Sequence, residues 1–158
     1  MSALCLIAFT GHPGVGKTTL ARRVAEQIPA VFVRIDSIED GLRASALSVG
    51  DLMDAGYAVG TEIATDALSI GQSVVADAVN PNSECRATWD SVAAFVGCKI
   101  FWVHVNCRDR SMHRARIEAR QRDGKRRGAN WDEINARTFE PAPSDWLEID
   151  TAALSVDE

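Results

Sequence analysis

Apolar positions run without interruption through Leu4-Cys5-Leu6-Ile7-Ala8-Phe9, and the pattern then changes: Leu20, Ala21, Val24, Ala25 and Ile28 recur at helical spacing until Pro29. The first pattern predicts a buried strand and the second an amphipathic helix. Val31-Phe32-Val33-Arg34-Ile35 reads as a second strand. A helix is expected over Ser37 to Ala46, and another over Tyr57 to Ile70, where Val59, Ile63, Ala67 and Ile70 form a stripe closed by Gly71. Ser73 to Ala76 predicts a third strand, Ser83 to Phe95 a helix stopped by Gly97, and Lys99 to Val105 a fourth strand. Helices over Asp109 to Gln121 and Trp131 to Phe139 and a fifth strand at Trp146 to Asp150 complete the pattern. Strands alternating with helices imply an α/β fold, a mainly parallel sheet covered on both faces. No repeat or linker interrupts it, so residues 1–158 are expected to form a single domain.

Between the first strand and helix lies Gly11-His12-Pro13-Gly14-Val15-Gly16-Lys17-Thr18-Thr19, which satisfies G-x-x-x-x-G-K-[ST] with the flanks that motif requires. The glycines let the backbone curl so that successive N–H groups point inward, and the helix start adds the positive end of its dipole. A polyphosphate suits such a loop. Lys17 is expected at the β and γ phosphates, and the Thr18 hydroxyl on the magnesium ion that accompanies them. Ligands of open parallel sheets bind beyond the carboxyl ends of the strands. The second strand leads there into Asp36 and the third into Asp77. Asp77 is a candidate partner of magnesium, directly or through water, and Asp36 a candidate to orient and deprotonate an acceptor hydroxyl. Asp36 with Glu39 also fits a helix capping box, and Asp77 also suits a turn.

Composition changes this picture in two places. The net charge of −5 argues against general nucleic-acid binding, yet nine of the seventeen basic residues fall between Arg108 and Arg127. Arg116 and Arg120, four apart, share a helix face on which they are expected to converge on one phosphate chain. With the glycine-containing loop from Asp123 to Gly128 they suggest a lid over about 109–130. The four cysteines have no C-x-x-C spacing, so inert thiols are expected rather than a metal site or a disulfide framework. No apolar run is long enough to span a bilayer and the start lacks a basic leader, which reads as a cytoplasmic protein.

The loop Gly11 to Thr19, Arg34-Ile35-Asp36-Ser37-Ile38, Gly56-Tyr57-Ala58-Val59, Val74 to Pro81, Phe139-Glu140-Pro141 and Leu147-Glu148-Ile149-Asp150-Thr151 together resemble the small P-loop kinases often labelled AAA-family ATPases. These are related to adenylylsulfate kinase, gluconate kinase, chloramphenicol phosphotransferase and the zeta toxins. The resemblance implies a P-loop NTPase of nucleoside-kinase-like type, a three-layer sandwich with five parallel strands in the order 2-3-1-4-5. It also implies ATP as phosphoryl donor, Asp36 as the acceptor-side aspartate, and Arg116 and Arg120 as lid arginines. Such proteins usually continue past the fifth strand into a helix, whereas this sequence ends at Ser155-Val156-Asp157-Glu158, so one flank of the sheet is expected to be less covered.

The function expected is an ATP- and magnesium-dependent phosphotransferase acting on a small acceptor bearing a hydroxyl, sulfate or phosphate group. Tyr57, Thr61, Glu62, Asn80 and Asn82 are candidates to line its pocket. Two alternatives are an ATPase switch or regulatory ATP-binding protein, and a nucleic-acid end kinase. Neither N-K-x-D nor D-x-x-G of guanine-nucleotide switches occurs, and Asp77 is followed by Ala78 rather than a second acid. The basic helix lacks interleaved aromatics for stacking bases.

Overall fold

A computed structural model describes residues 3–46, 51–123 and 128–154. Five strands, β1 (Cys5–Thr10), β2 (Ala30–Arg34), β3 (Ser73–Asp77), β4 (Lys99–Asn106) and β5 (Leu147–Asp150), form one sheet in the order β2-β3-β1-β4-β5. Every pairing is parallel, with Ile7 opposite Val75 on one side and Phe101 on the other. The helices are α1 (Lys17–Gln27), α2 (Ile35–Ala44), α3 (Ala55–Ser69), α4 (Ser83–Val96), α5 (Arg110–Arg122) and α6 (Trp131–Ala136). No helix among the described residues is long and apolar enough to cross a membrane.

Strand side chains alternate between faces, so β1 feeds two cores. Leu6 and Ala8 pack with Val74 and Ala76 of β3 against Ala64 and Leu68 of α3 and Trp89 and Ala93 of α4. Phe9 packs with Val75, Val103 and Val105 against Ala21 of α1. Burial on both faces explains why β1 and β3 read as unbroken apolar runs. At the β5 flank, Phe101 is 45% and Leu147 60% exposed.

Two element boundaries differ from the pattern. Ile35 belongs to α2 rather than to β2, so Asp36 lies in the first turn of that helix instead of at a strand end. Ile35 is buried either way, so hydrophobicity alone does not locate the transition. Arg34 is the residue preceding α2 and no side chain caps it, so the Asp36–Glu39 capping box does not form. The last helix stops at Ala136 instead of reaching Phe139. Asn130 and Glu133 close a capping box at its start. Arg137 then turns extended, and Phe139 folds back to within 4.5 Å of the His12 ring, ring centre to ring centre.

The segment following α6 is strapped to the sheet by Arg86 of α4. Its guanidinium, 6% exposed, donates to the carbonyls of Asn80 (3.1 Å), Pro141 (2.9 Å) and Glu140 (2.6 Å). It also lies over the Phe139 and Trp146 rings, and Trp146 stacks on Trp102 at 4.4 Å. The Glu140 carboxylate accepts the Ser83 N–H at 2.8 Å, tying the strap to the start of α4.

Candidate functional site

The loop Gly11 to Thr19 connects the central strand β1 to α1 at the carboxyl edge of the sheet. Gly11, Gly14 and Gly16 have φ of 147°, 85° and 97°, a region that side chains disfavour. Space forbids them too: a Cβ on Gly11 would run into the Val105 carbonyl, and one on Gly14 into Ile117 of α5. The loop is stitched to the segment after β3, where Val79 O accepts from the Gly11 N–H (3.2 Å) and the Thr10 hydroxyl (3.1 Å). Lys17 opens α1, with half-buried Thr18 following it at the positive end of the helix dipole.

Lys17 does not stand alone in this site. Its ammonium, 8% exposed as a residue, lies 3.3 Å from Oδ1 of Asp77, which is 2% exposed. Asp77 Oδ2 accepts from Arg34 Nε at 3.2 Å, and the second arm of Arg34 reaches Asp36 Oδ2 at 2.8 Å. One guanidinium thus bridges two carboxylates of different character: Asp77 is buried, whereas the Asp36 side chain is 54% exposed. Asp77 Oδ1 has no directed hydrogen bond and keeps acceptor capacity. Spare lone pairs on a buried carboxylate oxygen suit magnesium, a hard ion that binds few protein oxygens and completes its shell with phosphate and water. Among the described residues, no group of three or more His, Cys, Asp or Glu is placed to hold a metal ion.

Beside the loop opens a cavity of about 360 Å³, lined by His12, Asp36, Glu39, Tyr57, Cys85 and Phe139 among others. It is large enough for a small metabolite. Tyr57 lines it as expected. Its hydroxyl accepts the Asn80 N–H at 3.0 Å, and burial raises its pKa well above that of a free phenol, so it stays neutral. Burial likewise raises the Cys85 thiol and lowers His12, where nearby His113 adds to the effect.

The other proposed lining residues have different work. Asn80 is fully buried with φ 49°; its amide donates to Phe9 O (2.9 Å) and accepts from Trp89 Nε1 (3.1 Å). Asn82 caps α4 by accepting the Cys85 N–H at 2.9 Å. The Thr61 hydroxyl bonds back to the Tyr57 carbonyl at 2.9 Å, and Glu62 does not line the cavity. Conversely Cys85, Arg137, Thr138 and Phe139 enter the wall from α4 and the strap. Phe139-Glu140-Pro141 is one of the runs that carried the family resemblance, and Arg86 binds the carbonyls of Glu140 and Pro141 next to Phe139.

Arg116 and Arg120 lie on α5, which packs against the outside of the loop. Arg116 donates to the Thr151 hydroxyl (2.8 Å) and the Thr151 carbonyl (3.2 Å), and its NH1 lies 3.5 Å from Val15 O. Of the basic loop following α5, Lys125, Arg126 and Arg127 lie outside the described residues.

A five-stranded parallel sheet in this order, with a glycine-rich lysine loop after its central strand, defines the P-loop fold of the kinase type. The chain belongs to the AAA_33 family, described as an AAA domain, which it matches over residues 6–141. No curated protein is significantly similar to it in sequence. Its fold is similar to that of the APS kinase CysC of Mycobacterium tuberculosis, solved with AMPPNP and APS (TM-score 0.72, 23% identity, covering 99% of this chain and 93% of that one). A gluconokinase from Sinorhizobium meliloti 1021 is also similar (TM-score 0.68, 16% identity, 99% and 87% covered). So is Kti12 of Chaetomium thermophilum, solved with ADP-AlF3 (TM-score 0.67, 17% identity, 92% and 89% covered).

Proposed function

We propose that the protein is an ATP-dependent kinase that transfers the γ-phosphate of ATP to a small acceptor held in the cavity beside the phosphate loop. The observation that carries this reading is the placement of Asp36 in the wall of that cavity while its partner Arg34 also binds Asp77, itself paired with the loop lysine. A donor site and an acceptor site thus meet at one arginine. The backbone of Gly11, His12, Pro13, Gly14, Val15 and Gly16 would cradle the phosphates with Thr18 and Thr19, and Lys17 would turn from Asp77 to the γ-phosphate. Thr18 and Asp77 are the residues that would hold magnesium. When bound, the ion supplies charge neutralisation and alignment of the phosphates.

Transfer then asks one proton movement of the protein. As the acceptor oxygen forms its bond to the γ-phosphorus and the bridging bond to ADP breaks, Asp36 takes the hydroxyl proton. From α5, Arg120 is assigned to the phosphate chain, with Arg116 supporting the loop from behind. Residues 109–130 are the part of the domain assigned to the lid.

The test is transfer of label from γ-labelled ATP to a panel of small metabolites bearing hydroxyl, sulfate or phosphate groups. Lys17→Ala should remove transfer, since a charge-assisted contact contributes ~1.5 to 3 kcal/mol and more at a transition state. Full ATP-dependent activity in a folded Lys17→Ala protein would overturn the assignment. Hydrolysis with no acceptor labelled would favour a nucleotide-driven switch instead.

A further inference from the structure

Side chains of α5 and of the turn after β5 grip the carbonyl oxygens of the phosphate loop. His113 Nε2 lies 2.8 Å from Pro13 O. A carbonyl only accepts, so this nitrogen carries the hydrogen. Thr151, in the turn after β5, brings its hydroxyl 2.6 Å from Val15 O and 3.1 Å from Asn106 O. It has one hydrogen to give, and Asn106 O already accepts the Thr151 N–H at 3.0 Å, so the shorter contact to Val15 takes it. Arg116 donates into the same hydroxyl at 2.8 Å, making a chain from guanidinium to hydroxyl to carbonyl in which each bond polarises the next.

These contacts have a geometric consequence. A planar trans peptide points its C=O and its N–H in opposite directions, and the described chain contains no cis bond. Holding Pro13 O and Val15 O from outside therefore aims the N–H groups of Gly14 and Gly16 inward. The grip is close: Gly14 leaves no room for a Cβ beside Ile117, and a Cβ on Gly16 would stand 3.3 Å from Thr151 Cγ2. His113, Arg116 and Ile117 fall three and four residues apart, on one face of α5.

We propose that this face of α5, together with Thr151, is an external splint that fixes the amide directions of the phosphate loop, and that Arg116 and Thr151 are positioning residues which act through Val15. The consequence for nucleotide affinity rests on the ATP reading above; the splint itself does not. It links the arginine-rich helix and the turn after β5 to phosphate binding, so a displacement of either is felt at the loop.

The experiment follows the Gly14 and Gly16 amide resonances of the ligand-free protein and, separately, its affinity for ATP with magnesium. Thr151→Val, which keeps the shape and removes the hydroxyl, should shift the Gly16 amide and weaken ATP about tenfold, the loss of roughly one net hydrogen bond. Thr151→Ser should restore both. The double variant Arg116→Gln with Thr151→Val should lose no more than the worse single variant, because the residues form one chain. A wild-type Gly16 amide in Thr151→Val, equal impairment in Thr151→Ser, or fully additive losses would overturn the proposal. Should Thr151→Val not fold, Arg116→Gln reads the same amide and decides the matter in its place. If the wild-type protein binds no ATP, the kinase reading falls, while the amide response still decides the splint.

Discussion

Arg34 places a single guanidinium between Asp36 and Asp77, so the two carboxylates are electrically linked without sharing an environment. Their replacement should therefore fail differently. Asp36→Asn is expected to keep nucleotide and magnesium affinity while transfer falls ~100 to 10,000-fold, the range for losing a general base. Asp77→Asn should weaken the response to magnesium ~10 to 100-fold, and excess magnesium should partly restore it. Transfer assayed across a magnesium series separates the two; rescue of Asp36→Asn alone would mean the roles are exchanged. At this scale the chain was only partly legible. Lys17, Thr18 and Asp77 could be placed from a motif and a strand end, because both are local. Asn80 could not: its amide spans Phe9 and Trp89, seventy-one residues away on one side and nine on the other, and only the closed fold makes it a core residue rather than a pocket residue. His104 illustrates another long-range effect. Burial lowers its pKa, with Glu148 opposing and Arg86 adding to the shift. A group whose folded pKa is depressed contributes stability above its unfolded value, near 6.5, and that contribution is lost as pH falls below it toward the folded value. Thermal melts between about pH 7.5 and 5 should show this loss, and His104→Phe should flatten the profile.

Among the elements, strands were the most legible, because burial on both faces leaves β1 and β3 as apolar runs that no other element explains. Boundaries were less so. The move from β2 into α2 falls at Ile35, a residue that either conformation buries, and α6 stops at Ala136, after which the chain turns extended and Phe139 packs on His12. The cavity wall was hidden for the same reason: Tyr57, Cys85 and Phe139 belong to α3, α4 and the strap, and no spacing in the chain announces their meeting. Arg86 holds that meeting together. Arg86→Met should leave three carbonyls without their donor and destabilise the protein by about 2 to 4 kcal/mol, read by urea unfolding. Hydrogen exchange should show the loss concentrated over residues 137–146. A uniform change across the sheet would mean the strap is held by its other contacts.

For the whole molecule, the cores on the two sheet faces are separate, and the proposed donor and acceptor sites sit together at one edge of the sheet. Nucleotide binding is therefore expected to order the edge and spare the centre. With a nonhydrolysable ATP analogue, amides of the phosphate loop and the distal turns of α5 should exchange more slowly, while those of β1 and β3 remain as they were. Equal protection with and without nucleotide would argue against a lid. One feature of the strap makes such changes visible without a label. Trp102 belongs to the rigid sheet and Trp146 to the segment beyond the cavity wall, and their indoles lie nearly parallel, 7° apart with centres at 4.4 Å. Two chromophores held this way couple their excited states, and the near-ultraviolet circular dichroism of the pair depends on both separation and angle. Any acceptor that moves Phe139 and its neighbours should disturb that signal, even before a phosphate is transferred. The pair would then serve as an optical gauge of acceptor binding, and Trp146→Phe is expected to silence it while leaving ATP binding intact.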